Sequence, residues 1–271
     1  MEEENGRFGY NVGVYDLVCR TIRQKVEEEA GKEGPYGIGV YTSEFCEEVL
    51  MTAPMKTLEE RMAIAKSFND VDFVFSVNTN NRQEVEALAV KAYEEYLLRK
   101  KAAEEPKKYK VGFVIGSFDV FHAGHLENIM MAKEMCERVF VVLKTDERIF
   151  LKKNKMPRQT TAERAAVLKF LKPVEDVLYM DIDTTRKDVI ADVLQHCDPN
   201  IDKKEIVAIF GSDLQAKEEQ YIGTDWADIS VAFTERNPEK MKTVSSTHYQ
   251  KICDARGGLK VLESFEEQTI K

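Results

Sequence analysis

The sequence VGFVIGSFDVFHAGH at residues 111–125 passes from a short apolar run through a glycine-containing turn into a helical pattern. A nearly continuous apolar run such as 111–115 is typical of a strand buried on both faces of a parallel sheet. Beyond the turn, Leu126 and Ile129 have the spacing of one helix face. The sequence therefore predicts a buried strand, a tight turn at Gly116 and a helix.

The segments that follow continue this alternation of strand and helix. Residues 138–143 (RVFVVL) and 177–180 predict two more buried strands, and 161–171 between them has a helical pattern. Further strands are predicted at 206–210 and 229–233. Alternating strands and helices imply right-handed crossovers between parallel strands. We therefore expect an α/β fold with a Rossmann-like doubly wound parallel sheet.

The chain has 271 residues, of which 43% are apolar and 32% charged, a composition that excludes a disordered protein. Its net charge of −9 disfavours nucleic acid and anionic membranes as partners. The five cysteines have no CxxC spacing, which is typical of a reducing compartment, and the acidic start MEEEN does not resemble a secretory signal. No apolar run approaches the roughly 18 residues of a transmembrane helix. These features predict a cytoplasmic protein without membrane insertion.

An offset of 103 residues relates the first part of the chain to the second. Three pairs of segments match at this offset without a gap: 13–16 with 116–119, 42–44 with 145–147, and 60–61 with 163–164. A constant offset over separated blocks indicates a duplicated unit. We predict a truncated, degenerate domain at 1–80, a helical connector at 81–108 and a complete catalytic domain at 109–271.

The second copy carries two histidines, His122 and His125, in the first turn of a predicted helix. Residues i and i+3 share a helix face, and ligands of open α/β sheets bind where strands end and helices begin. Two imidazoles at this point suit the charge that develops on a transferring phosphoryl group. A structural histidine and a zinc ligand are the alternatives, but no third ligand has a companion spacing.

The motif GSFDVFHAGH at 116–125 resembles the signature of the HIGH-type nucleotidyltransferases, and in particular the cytidylyltransferase-like family. The resemblance covers most of 109–255 and, in degraded form, 8–78. It implies transfer of a nucleotide from a nucleoside triphosphate to a phosphomonoester, with release of pyrophosphate and no covalent enzyme intermediate. It also implies Mg²⁺, which would neutralise and orient the triphosphate.

The resemblance also assigns roles to individual residues. The predicted catalytic residues are His122, His125, Lys153 and Arg164. The predicted nucleotide-binding residues are Gly116, Ser117, Phe118, Asp119, Gly124, Lys152, Gly211, Asp213, Ser245, Ser246 and Thr247, and Asp119 is also the predicted metal ligand. The histidines would stabilise the pentacoordinate α-phosphorus, and the lysines would close over the triphosphate on a mobile loop.

Several of these residues have a structural alternative. The lysines at 152–155 would otherwise form a solvated charge run, and Arg164 would otherwise pair with Glu163 on a helix surface. Asp213 would otherwise cap a helix, as would the hydroxyls at 245–247.

The first copy lacks the imidazoles. Cys19 and Ile22 stand where the second copy has His122 and His125, and the acidic segment 47–51 replaces the lysines. We predict a catalytically inactive half that serves as a built-in partner or lid. Tandem cytidylyltransferases with one inactive copy resemble this plan, with the order of the copies reversed.

These features favour a cytidylyltransferase that transfers CMP from CTP to a small phosphomonoester similar to phosphoethanolamine or glycerol 3-phosphate. The aromatic residues expected of a phosphocholine enzyme are absent after 174–177, so phosphocholine is disfavoured. The alternatives are an adenylyltransferase that uses ATP and a non-catalytic nucleotide-binding sensor or scaffold. A homodimer is left open.

Overall fold

The computed structural model describes residues 8–30, 34–99, 106–226, 228–234 and 245–269. The chain divides into two compact units: unit 1 is Met1–Glu104 with Lys251–Lys271, and unit 2 is Glu105–Gln250. Within the described ranges, no helix is long and apolar enough to cross a membrane.

Unit 1 contains a three-stranded parallel sheet in the order β1-β2-β3. Its strands are β1 (Gly9–Gly13), β2 (Tyr36–Tyr41) and β3 (Phe73–Val77), and its first four helices are α1 (Arg20–Glu29), α2 (Ser43–Glu48), α3 (Leu58–Lys66) and α4 (Arg82–Arg99). Helix α4 falls in the segment predicted as a connector. Its buried residues Val85 and Ala89 instead pack in one apolar cluster with Phe73 and Phe75 of β3, so α4 belongs to unit 1.

Unit 2 contains a five-stranded parallel sheet in the order β6-β5-β4-β7-β8. Its strands are β4 (Tyr109–Gly116), β5 (Cys136–Lys144), β6 (Asp176–Met180), β7 (Ile206–Gly211) and β8 (Ser230–Thr234), and its helices include α5 (Ala123–Met135), α6 (Asp146–Lys153), α7 (Thr161–Lys169), α8 (Arg186–His196) and α9 (Gln215–Glu218). The strand order reverses between β4 and β7, which is where open α/β sheets bind ligands. The predicted Rossmann-like α/β fold is confirmed.

The core of unit 2 lies on both faces of this sheet. On one face, Phe113, Val142 and Phe210 pack with Val193 of α8 and with Trp226, which is 1% exposed. Because strands covered on both faces have no solvent side, they read as the continuous apolar runs seen in the sequence.

Two helices complete the chain, α10 (Ser246–Ala255) and α11 (Leu259–Thr269). Helix α11 packs against β1 and α1, and its buried Glu266 accepts hydrogen bonds from the loop that follows β1. The segment 251–271 therefore lies in unit 1, whereas the sequence placed it with the catalytic domain.

The helices that flank the strand ends begin at threonine caps. Thr57 and Thr160 each form a capping box with the glutamate three residues later, which satisfies otherwise unpaired amides in the first turns of α3 and α7. This cap fixes the start of α7, from which Arg164 projects.

Candidate active site

The loop after β4 has an unusual backbone. Phe118 and Val120 have φ angles of 52° and 48°, in the left-handed region that a β-branched residue such as Val120 rarely adopts. Gly116 was expected to supply the tight turn, but its φ is not positive. A Cβ at Gly116 would lie 2.8 Å from Cε2 of Phe118, so glycine is needed there to make room for that ring.

The two histidines stand side by side directly after this loop. His122 precedes α5 in extended backbone, and its carbonyl accepts a hydrogen bond from the amide of His125 at 2.9 Å. Their ring centroids are 3.7 Å apart with an interplanar angle of 24°. His122 is 2% exposed and lies 5.4 Å from the ring of Tyr249, while His125 lies 5.1 Å from the ring of Phe118. The structure therefore brings the predicted pair together at the start of α5.

Two backbone amides of the loop are available to a ligand. In the part of the chain that the structure describes, no group accepts a hydrogen bond from the backbone nitrogen of Phe118 or of Asp119. These donors precede the N-terminus of α5, where the helix dipole favours negative charge. Loop amides and imidazoles together form a site suited to an anion.

Asp119 does not face this site as an open ligand. Its buried carboxylate accepts hydrogen bonds from the amides of Arg158 at 2.9 Å and Gln159 at 3.0 Å, and from Nε2 of Gln250 at 2.5 Å. Among the described residues, no three His, Cys, Asp or Glu side chains are grouped so that they could hold a metal ion. The residues present therefore do not fit a protein-held Mg²⁺, and Asp119 anchors the turn before α7 instead.

Arg164 is also committed to the protein rather than to a phosphate. It is 0% exposed. Its Nε donates to the carbonyl of Gln159 at 3.0 Å, and its Nη1 donates to the carbonyls of Ser117 and Lys144 at 2.5 and 2.9 Å. Its Nη2 donates to Oδ1 of Asp146 at 2.6 Å. Arg164 thus ties the ends of β4 and β5 to α7, which differs from the predicted contact with substrate.

The predicted lysine loop is the end of a helix. Lys152 and Lys153 occupy the last turn of α6, which Asn154 ends in left-handed backbone. Lys155 lies beyond it and donates to Oε1 of Gln250 at 3.2 Å. All three lysines are exposed, and Lys152 also lines a cavity described below.

The remaining predicted binding residues are spread along the same edge of the sheet. Gly124 is buried in the first turn of α5, and Gly211 ends β7. Asp213 is exposed in the short 3₁₀ turn Ser212–Leu214.

The hydroxyl motif begins α10. Oγ of Ser245 accepts a hydrogen bond from the amide of His248 at 3.2 Å, which is the capping role that the sequence left as an alternative. Thr247 is exposed, and the side chain of Ser246 lies outside the described part of the chain. The same helix supplies Tyr249 and Gln250, which the sequence did not single out.

A cavity of about 330 Å³ opens at the carboxyl ends of β4 to β7. It is lined at the strand ends by Ile115, Lys144, Met180 and Phe210, and neither histidine lines it. Lys144 directly follows the buried run of β5, and a charged residue at the carboxyl end of a buried strand was the signal that could have found it.

The corresponding loop of unit 1 is occupied by a side chain of the same unit. Tyr15 has a φ of 59°, and the amides of Tyr15 and Leu17 donate to the Glu266 carboxylate at 3.1 and 2.9 Å, with Asp16 donating to it between them. Burial, reinforced by the nearby Asp16 carboxylate, raises the pKa of Glu266 to about 7. A carboxylate thus fills the place where an anion would bind.

Comparison with known proteins agrees with this geometry. A parallel Rossmann-like sheet with a His-x-Gly-His pair at the carboxyl end of its first strand defines a nucleotidyltransferase of the HIGH type. The family model described as Cytidylyltransferase-like matches residues 113–251, just over half of the chain. The chain belongs to this family, as the sequence motif indicated.

Two kinds of curated relative match shorter stretches. The FAD synthase of Pyrococcus horikoshii is 37% identical over 70 residues, 26% of this chain and 47% of that protein. The bifunctional protein HldE of Caulobacter vibrioides is 42% identical over 76 residues, 28% of this chain and 16% of that protein. The match thus spans about half of the first relative and about a sixth of the second.

Among solved structures, a lipopolysaccharide core biosynthesis protein from Thermoplasma volcanium is 17% identical. The match covers 48% of this chain and 98% of that one, with a TM-score of 0.37. This likeness is too weak to bear on function.

Proposed function

We propose that unit 2 is a cytidylyltransferase that transfers CMP from CTP to a small phosphomonoester and releases pyrophosphate. The observation that carries the proposal is the stacked pair of His122 and His125 beside the available amides of Phe118 and Asp119. Both lie at the carboxyl end of β4, next to the point where the strand order reverses.

The chemistry follows from this placement of donors. An oxygen of the acceptor phosphate attacks the α-phosphorus, a new P–O bond forms, and the bond to the β-phosphate oxygen breaks. Pyrophosphate leaves with that electron pair. The imidazoles and the loop amides donate hydrogen bonds to oxygens whose negative charge grows in the transition state.

The divalent ion in this proposal arrives with the nucleotide. Mg²⁺ is commonly held by substrate phosphates with one or two protein ligands or none, and it keeps several waters. Such a complex needs no cluster of carboxylates. When bound, Mg²⁺ would neutralise triphosphate charge, and unit 2 would orient the complex through its amides and imidazoles.

Adenylyl transfer from ATP is the second candidate. The relatives named FAD synthase make a dinucleotide that contains adenine, which favours ATP as the donor. The family name favours CTP. The reaction class is the same for both, and only the base differs.

Unit 1 is proposed to be a degenerate, inactive copy. Strand β3 and helix α3 lie 103 residues before β6 and α7, with the same lengths. Cys19 and Ile22 replace the histidines, and Glu266 occupies the loop amides. These observations support both the duplication and the absence of turnover in unit 1.

A pyrophosphate-release screen of the full chain tests the proposal. It crosses CTP, ATP, GTP and UTP with a panel of phosphomonoesters at a fixed Mg²⁺ concentration. We expect release with CTP and a subset of acceptors, and none in a His122→Ala/His125→Ala variant, whereas release with ATP instead would favour the second candidate. His196→Ala is the matched control, because His196 is exposed on α8. Nucleotide binding without pyrophosphate release from any pair would favour the sensor instead.

A further inference from the structure

The cavity at the carboxyl ends of β4 to β7 is strongly cationic. Five of its lining residues are basic and three are acidic. The basic residues are Lys144, Arg148, Lys152, Arg186 and Lys217, and the acidic ones are Asp183, Glu218 and Asp225.

Two of the three carboxylates are already engaged with one cation. Arg186 donates from Nε to Glu218 at 3.0 Å, and its Nη1 lies 3.7 Å from Asp225. Glu218 also accepts a hydrogen bond from Nε1 of Trp226 at 3.1 Å. The third, Asp183, is exposed. The other four cations therefore exceed the carboxylates left to balance them.

Two of these cations are partly or fully buried and, among the described residues, form no ion pair with a carboxylate, although the charge of Asp181 acts on Arg148. Across the described residues, the ammonium of Lys144 has no hydrogen-bond acceptor and no ion pair. Arg148 is 7% exposed, and its Nε is buried without an acceptor in the same part of the chain. Its Nη1 donates to the carbonyls of Ile182 and Thr184 at 3.1 and 3.0 Å, which holds it in place. A buried charge without a partner costs stability unless a ligand supplies the opposite charge.

The electrostatics of Lys144 agree with this geometry. Burial, together with the nearby charges of Lys152, Lys153, Lys217 and Arg148, lowers the pKa of Lys144 to about 8. A bound anion in the cavity would raise the pKa of Lys144 again.

Unit 1 shows what the same positions hold where no such ligand is needed. At the offset of 103, Tyr41, Phe45 and Val49 stand for Lys144, Arg148 and Lys152. The rings of Tyr41 and Phe45 are stacked with centroids 4.7 Å apart. The cations are therefore not required by the sheet and helix that carry them.

Two of the aromatic rings in and beside the cavity already lie next to a cation of the protein. The Arg186 guanidinium lies 3.5 Å from the ring centroid of Tyr221 and 5.6 Å from that of Trp226. An amine would compete with Arg186 for the faces of these two rings.

We infer that this cavity binds the acceptor and that the acceptor is a phosphomonoester with a second acidic group, held by Lys144 and Arg148. The inference rests on the proposed function and narrows its substrate class. It predicts that phosphomonoesters with a second acidic group bind more tightly than glycerol 3-phosphate, whose remaining part is uncharged. It also predicts that they bind more tightly than phosphoethanolamine, whose remaining part is an amine.

Calorimetric binding to the full chain without nucleotide tests the inference. The probes are 3-phosphoglycerate, which carries a carboxylate, propane-1,3-diol bisphosphate, which carries a second phosphate, glycerol 3-phosphate and phosphoethanolamine. We expect one of the two acidic probes to bind about 10- to 100-fold more tightly than glycerol 3-phosphate, with phosphoethanolamine weakest. The acidic probe that binds more tightly shows whether the second acidic group of the acceptor is a carboxylate or a phosphate.

Two variants test whether the preference for acidic probes arises at Lys144. Lys144→Gln should remove most of the preference for the acidic probe, because the ammonium has no hydrogen bond or ion pair with another described residue that the substitution would also remove. Lys110→Gln is the matched control, since Lys110 lies at the opposite end of the sheet, on β4, paired with Glu205. Equal affinity for all four probes, tightest binding of phosphoethanolamine, or a preference that Lys144→Gln leaves intact would overturn the inference.

The design separates this inference from the proposed function. His122→Ala/His125→Ala should abolish pyrophosphate release and keep the binding preference. A preference without pyrophosphate release from any nucleotide would defeat the proposed reaction and leave the anion site standing. Pyrophosphate release with an amine acceptor would support the proposed reaction and contradict the inference of an acidic acceptor.

Discussion

Arg61 and Arg164 form equivalent sets of hydrogen bonds in the two units. Arg61 donates to the carbonyls of Lys56, Val14 and Tyr41 and to Oγ of Ser43, and Arg164 donates to the carbonyls of Gln159, Ser117 and Lys144 and to Oδ1 of Asp146. Each of these four acceptors of Arg164 lies 103 residues after the corresponding acceptor of Arg61, and Arg164 also donates to Oγ1 of Thr161 at 3.2 Å. Because Arg61 keeps this arrangement in a unit without the histidines, the arginine serves the fold in both.

Replacing Arg164 should therefore cost stability before it affects substrate binding. Arg164→Ala leaves buried carbonyls without a donor, and we expect the free energy of unfolding to fall by about 3 kcal/mol or more. The single tryptophan, Trp226, lies in the core of unit 2, so its fluorescence in urea follows that unit. Arg99→Ala, at an exposed position on α4, is the control. An unchanged urea midpoint together with weaker nucleotide binding would restore the role of phosphate ligand.

The two histidines should matter for turnover. Removal of one preorganised donor to transition-state charge typically lowers kcat by about 10²- to 10³-fold. We expect this loss for His122→Ala and for His125→Ala, with the KM for nucleotide changed much less and His196→Ala within about twofold of wild type. Steady-state pyrophosphate release measures both constants. Undiminished turnover in His122→Ala would mean that the catalytic centre lies elsewhere.

Asp119 should behave as an anchor rather than a metal ligand. Asp119→Asn keeps one acceptor oxygen for the amides of Arg158 and Gln159 but places an amide nitrogen against Nε2 of Gln250, and we expect a loss of about 1–3 kcal/mol in the free energy of unfolding. The Mg²⁺ concentration for half-maximal turnover should stay within about twofold of wild type. Asp228→Asn, at an exposed position, controls for the charge change. A large rise in the Mg²⁺ requirement with normal stability would contradict this assignment.

Glu266 should make unit 1 less stable as the pH rises. Its pKa is about 7 in the folded chain against an ordinary value of 4.5, so the folded state binds more protons between these values. The stabilisation is complete below about pH 4.5 and is lost as the pH rises through about 7. We expect the unfolding free energy of wild type relative to Glu266→Gln to fall by roughly 1–3 kcal/mol between pH 4.5 and 7.5.

The difference in unfolding free energy between wild type and Glu266→Gln contains no contribution from the other titrating groups, because both proteins have them. Unit 1 contains six of the ten tyrosines and no tryptophan, so its unfolding is followed by tyrosine circular dichroism compared with the Trp226 fluorescence of unit 2. A difference that stays constant with pH would show that Glu266 does not titrate in this range. A difference that grows with pH would mean that its pKa is lowered by the amides of Tyr15 and Leu17.

The sequence was sufficient for the sheet of unit 2 and for the histidine pair. Buried parallel strands read as apolar runs, and the predicted strand at 177–180 and helix at 161–171 agree with β6 and α7 within two residues. The pair at 122 and 125 is fixed by one helical turn, so its proximity follows from local spacing alone.

The partners of the buried polar groups could not be read in the same way. Arg164 finds its acceptors just after β4, at the end of β5, at the start of α6 and just before α7, and Asp119 finds Gln250 across 131 positions of the chain. Such contacts depend on which loops the fold brings together, and local patterns carry no signal for them. The sequence already shows aromatic residues in unit 1 where unit 2 has Lys144 and Arg148. Only the cavity in the structure connects this difference with ligand binding.

The position of Glu266 bears on the order in which the chain matures during synthesis. Unit 1 begins with the first strand, yet the carboxylate that occupies the amides of Tyr15 and Leu17 is made about 250 residues later. At roughly 5–20 residues per second, a ribosome takes about 10–50 s to cover that interval. Unit 2 is fully translated before α11 emerges, so unit 1 starts first and is completed last. Until α11 is made, the loop amides of unit 1 stay hydrated in the nascent chain.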